Sequence, residues 1–103
     1  MPDVISDTSP IQYLYQVELL DLLFKLYQQI TIPEAVESEL AEGRDHGVHL
    51  PSVEVMSRFK VRTAAFEQTF ELPTSLGRGE REVLILAFAS PGSLLLLDDA
   101  LAR

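Results

Sequence analysis

Residues 94–99 read Leu94-Leu95-Leu96-Leu97-Asp98-Asp99. An unbroken apolar run too short for a helix, entered from the Pro91-Gly92 turn and closed by acids, reads as a buried strand of a parallel sheet. A run of the same kind stands near the other end of the chain, where Val4 and Ile5 lead through Ser6 directly to Asp7. Both runs look buried and central, and both close on carboxylates. The two strands are therefore expected side by side and parallel, with their carboxyl ends as neighbours. In sheets of this type ligands sit beyond the carboxyl ends of the strands, where the strand order switches.

Working outward from these two runs, strands and helices alternate. Ser9 is the expected N-cap of the first helix and Pro10 its first residue, where the missing N–H costs nothing. Residues 11–27 carry a helical pattern broken near 16–18, with leucines at helical spacing in the second half. Ile30-Thr31-Ile32 is a short β-type run. Pro33 opens a helix with Glu34 and Glu37 in its first turn, where the dipole favours anions, and Gly43 is the expected stop. A polar loop follows over 43–51, and residues 59–62 are the best next strand. Residues 64–70 suit a short helix. Leu76-Gly77-Arg78-Gly79-Glu80 is a turn into a helix that runs through Ala89, and residues 100–103 begin another. This alternation predicts an α/β fold with a central parallel sheet covered by helices on both faces.

The 103 residues suit a single domain spanning 1–103. Asp and Glu total 16 against 8 Lys and Arg, a formal net charge of -8. That balance argues against holding nucleic acid by bulk charge. It leaves open an enzyme that reaches phosphates through metal ions, because a bound cation reverses the local sign. The chain has no cysteine, which excludes disulfides, thiolate zinc sites, iron–sulfur clusters and thiol nucleophiles. The longest apolar run, 83–89, is far short of a membrane span. The first residues carry no signal-peptide pattern, and a cytoplasmic protein with no membrane association is expected.

Several acids fall where the sheet rule puts ligands. Asp7 follows the first strand, and Asp98 and Asp99 follow the last. One such aspartate would be read as a turn cap. Two strand ends carrying acids bring like charges together, which repel unless a cation or proton joins them. Glu39 shares a helix face with Ala35, Val36 and Leu40, whereas Glu34, Glu37 and Glu42 have a solvated face open to them. It is either a boundary residue whose carboxylate reaches water or a member of the same cluster. Glu80 opens its helix on the face of Val83, Leu84 and Ala87, where the dipole alone would favour an acid. Glu82, about 200° round by helical geometry, is the weaker candidate. Arg78 could hold Glu80 or touch a phosphate. An oxygen-only cluster of this kind suits Mg2+ or Mn2+ and in-line attack on a phosphodiester.

Ser6-Asp7-Thr8-Ser9-Pro10, Ile32-Pro33-Glu34-Ala35-Val36 with Glu39-Leu40, Leu76-Gly77-Arg78-Gly79-Glu80, and Leu96-Leu97-Asp98-Asp99 with Ala102-Arg103, in that order, resemble a PIN domain. More narrowly, the chain is similar to the PIN-like DUF3368 group, relatives of VapC-type toxin ribonucleases. The resemblance implies a Rossmann-type α/β/α sandwich and a Mg2+- or Mn2+-dependent endoribonuclease acting on RNA. It implies Asp7, Glu39, Glu80 and Asp99 or Asp98 as the catalytic and metal-holding acids. Thr8 or Ser9 would lie beside the metal's water, with Arg78 toward the substrate. It also implies an antitoxin-type protein partner. The family pattern continues with a further strand and helix that this sequence lacks, so a homo-oligomer that covers the exposed sheet edge is expected.

Other chemistries fit less well. His46 and His49 share a glycine-containing loop and read as surface residues. There is no phosphate-binding G-x-x-x-x-G-K-[ST] loop and no nucleophile elbow. A phospho-aspartate receiver lacks its late lysine, and Ser9 stands where a haloacid-dehalogenase-like phosphatase has its second aspartate. The main rival is a catalytically inert PIN-like module that binds nucleic acid or protein, or oligomerises, through the leucine-rich segment 18–27.

Overall fold

The computed structural model describes residues 3–27, 29–64 and 77–97. The strands β1 (Val4–Ser6), β2 (Ile30–Pro33), β3 (Lys60–Arg62) and β4 (Leu94–Leu96) form one sheet in the order β3-β2-β1-β4. Every pairing is parallel. Helices α1 (Thr8–Gln16) and α2 (Leu20–Leu26) join β1 to β2, α3 (Glu34–Asp45) and the single turn α4 (Val53–Met56) join β2 to β3, and α5 (Arg78–Ala89) lies between β3 and β4. Helices flank the parallel sheet in an α/β/α arrangement.

The expected neighbours are neighbours. Val4, Ile5 and Ser6 pair with Leu94, Leu95 and Leu96, and the Asp7 N–H donates to the Leu96 carbonyl at 2.9 Å. From β1 the chain builds outward through β2 to β3, then crosses back to the other side of β1. The strand order therefore switches between β1 and β4, and Asp7 stands at that switch. Val4, Ile5, Ile30, Ile32, Val36, Leu40 and Val83 are sealed from solvent. Each such side chain contributes about 1.5–3 kcal/mol over its exposed state.

Four expectations need correction. β4 is not a central strand: among the described residues it is an edge, with Leu94 39% exposed. Four leucines guarantee an apolar strand but not a neighbour on each side. The first helix begins at Thr8 rather than Pro10, because Asp7 rather than Ser9 is the N-cap and accepts the Thr8 N–H. Pro10 then occupies the third helical position, where the N–H still has no intrahelical partner. The third correction concerns Gly43, which lies inside α3. A Cβ there would stand 2.6 Å from Leu50 Cδ1, so this glycine admits Leu50 to the core. The stop is Gly47, at φ +84, with the Val48 N–H returning to the Gly43 carbonyl at 3.0 Å in a Schellman closure. Finally, α5 buries Gly79, Val83, Ile85 and Leu86, so its deepest stripe starts at Gly79 and Glu80 flanks it. The expected helices over 64–70 and 100–103 lie, apart from Ala64, outside the described residues.

Candidate metal centre

Asp7 leaves the end of β1 and is 5% exposed. Its Oδ1 accepts the Thr8 N–H at 2.8 Å, so one carboxylate both starts α1 and faces the carboxyl edge of the sheet. The Thr8 hydroxyl donates to Glu39 Oε2 at 2.6 Å. Thr8 thus ties the first helix to the second turn of α3 and turns Glu39 toward Asp7. The residue as a whole is exposed, but the carboxylate has a fixed partner on the β1–α1 junction.

The first turn of α5 closes on this pair. A Cβ built on Gly79 would meet Asp7 Oδ1 at 2.8 Å, Glu39 Oε1 at 3.0 Å and Val36 Cγ2 at 3.3 Å. The two carboxylates therefore converge on one point beside the positive end of α5. Oxygen donors this close suit a hard divalent cation, and Mg2+ is often held by only one or two carboxylates with the substrate phosphate and waters completing its shell. Among the described residues, no group of three or more His, Asp or Glu side chains is arranged to hold a metal. The Asp7–Glu39 pair is what those residues supply. Glu80 is half-buried, with its Oε1 3.9 Å from the Cβ position of Gly77. Asp98 and Asp99 lie outside the described residues. β4 pairs with β1 through Leu96, which brings the chain to within two residues of Asp98.

The remaining candidates are placed as follows. Ser9 is exposed in the first turn of α1. The Arg78 Nε donates to Glu82 Oε2 at 3.0 Å. Glu82 is the residue whose role helical periodicity understated. Its Oε1 accepts the Ala35 N–H at 3.1 Å and so caps α3 from α5, where Pro33 as N-cap offers no side-chain acceptor. His46 and His49 are exposed, one against the Glu42 carbonyl and the other against the Tyr15 ring.

A family model described as PIN domain matches residues 3–103. The chain belongs to the PIN-domain family DUF3368. PIN domains are nuclease-type domains that generally use divalent metal ions, and an acidic pair at the strand-order switch is consistent with that class. No curated protein and no solved structure matches the chain. No helix of this PIN domain, among the described residues, is long and apolar enough to cross a membrane.

Proposed function

We propose that this PIN domain is a Mg2+- or Mn2+-dependent endoribonuclease. Asp7 and Glu39 form the core of its metal site, and Glu80, Asp98 and Asp99 are the further acids of the reaction centre. The observation that carries the reading is the convergence of the Asp7 and Glu39 carboxylates on one point beside α5. When bound there, a divalent cation would supply the positive charge that activates water and steadies an in-line displacement at phosphorus. The chain's own contribution is to fix the donors: Thr8 orients Glu39 through its hydroxyl and Asp7 through its backbone N–H. The exposed Ser9, and Arg78 once drawn off Glu82, are available to the substrate phosphates. A cytoplasmic location and an antitoxin-type partner belong to the same reading.

The test is metal binding followed by cleavage. Calorimetry with Mn2+ is expected to show binding by the parent chain and loss in Asp7→Asn, because a neutral amide holds a hard cation less well. Slow Mn2+-dependent cleavage of single-stranded RNA is expected to vanish in the same variant. A parent that binds no metal defeats the nuclease reading. Equal cleavage by parent and Asp7→Asn would place the cutting elsewhere.

One observation points to self-association. Leu19, Leu22 and Leu26 form a stripe on and beside α2 and are 47%, 50% and 57% exposed. We propose that a second copy covers this stripe, which is compatible with either activity or inertness at the acids.

A further inference from the structure

We propose that Gly79 is a positioning residue of the acidic site: its missing side chain is what lets the Asp7 and Glu39 carboxylates face one point. The functional meaning of this inference rests on the metal-dependent reading above, while its geometric content stands without it.

Backbone conformation gives no reason for glycine at 79. The glycines with positive φ among the described residues are Gly47 and Gly92. Gly79 is the second residue of α5, where helical backbone angles suit any residue and glycine has no propensity advantage over alanine. The reason is the approach distance. A β-carbon would fall 2.8 Å from Asp7 Oδ1 and 3.0 Å from Glu39 Oε1, both inside ordinary contact. Its third neighbour, Val36 Cγ2 at 3.3 Å, belongs to a fully buried, β-branched side chain with little freedom. The carboxylates are the ends of rotatable side chains, so they give way first. Asp7 would leave the Thr8 N–H, and Glu39 would leave the Thr8 hydroxyl. The strain of an alanine is thus discharged into the site, and the core keeps its packing.

Gly77 is the built-in control. It opens the same turn, and the nearest atom to its Cβ position is Glu80 Oε1 at 3.9 Å, ordinary van der Waals contact. Gly79→Ala is expected to unfold at or slightly above the parent temperature, since the helix gains propensity. Its Mn2+ affinity is expected to fall roughly 10- to 100-fold, the range seen when support around metal ligands is lost. Gly77→Ala is expected to bind Mn2+ as the parent does.

The experiment pairs Mn2+ calorimetry with carbon-13 spectra of the side-chain carboxyls in the metal-free protein. The Asp7 and Glu39 carboxyl resonances are expected to move in Gly79→Ala and stay in place in Gly77→Ala. Unmoved resonances with undiminished Mn2+ affinity would overturn the proposal. So would a melting temperature lowered by more than about 5 °C, on the order of 1 kcal/mol for a domain of this size, because the clash would then be with Val36 and the core. If the parent itself binds no Mn2+, the nuclease reading falls and the metal-free resonances alone decide the role of Gly79.

Discussion

Two residues at the carboxyl edge of the sheet divide labour that their charge alone would not separate. Glu39 and Glu82 both come from helices that start there, and both carry carboxylates to a neighbouring element. Glu39 ends on the Thr8 hydroxyl beside Asp7, whereas Glu82 ends on the Ala35 N–H and Arg78. Glu82 is therefore a cap that happens to be charged, favoured by the N-terminal dipole of α3. Glu82→Ala is expected to lower unfolding free energy by about 1–2 kcal/mol, read by urea denaturation. Mn2+ affinity should change far less than in Asp7→Asn. A variant as stable as the parent would show that the α3 N-terminus needs no partner from α5.

The junction of α1 and α2 carries the clearest local strain. Glu18 sits at φ 63, the one positive-φ residue other than glycine among those described. Its N–H returns to Tyr15 and the Leu19 N–H returns to Leu14 at 2.8 Å, which is a Schellman closure with glutamate where glycine is usual. Glu18→Gly is expected to raise stability by about 0.5–1 kcal/mol, since the left-handed conformation costs a side chain more than it costs glycine. The same urea titration checks it, and an unchanged or lower midpoint would mean that the Glu18 side chain contributes contacts worth the strain. Periodicity located this break within a residue. It placed the end of α3 wrongly because two glycines, Gly43 and Gly47, are equally good stops on paper. The approach of Leu50 to Gly43 and the positive φ of Gly47 separate them.

For the whole molecule, the uncovered stripe of Leu19, Leu22 and Leu26 sets the expectation of self-association. Sedimentation at micromolar concentration is expected to show a dimer or larger species, shifted toward monomer in Leu22→Glu; a parent that is cleanly monomeric would sink the idea. The sheet itself was readable from very little. Val4–Ser6 and the leucine run both end on acids, and that was enough to set β1 beside β4. The edge position of β4 was not readable, because burial of a strand depends on what the rest of the chain lays next to it. The acids Asp7 and Glu39 were readable from strand ends and from one helix face. The glycine between them was not, since its meaning exists only where β1, α3 and α5 meet.

The pairing of β1 with β4 also has a consequence in time. A ribosome releases Asp7 and Glu39 well before Gly79 and the leucines of β4, and at about 5–20 residues per second that interval lasts on the order of several seconds. Until then β1 lacks one of its two neighbours, and the Asp7 N–H has no Leu96 carbonyl to hold it. The acids exist in the nascent chain before anything aligns them. A nuclease built this way would be harmless to the message that encodes it until β4 has been made.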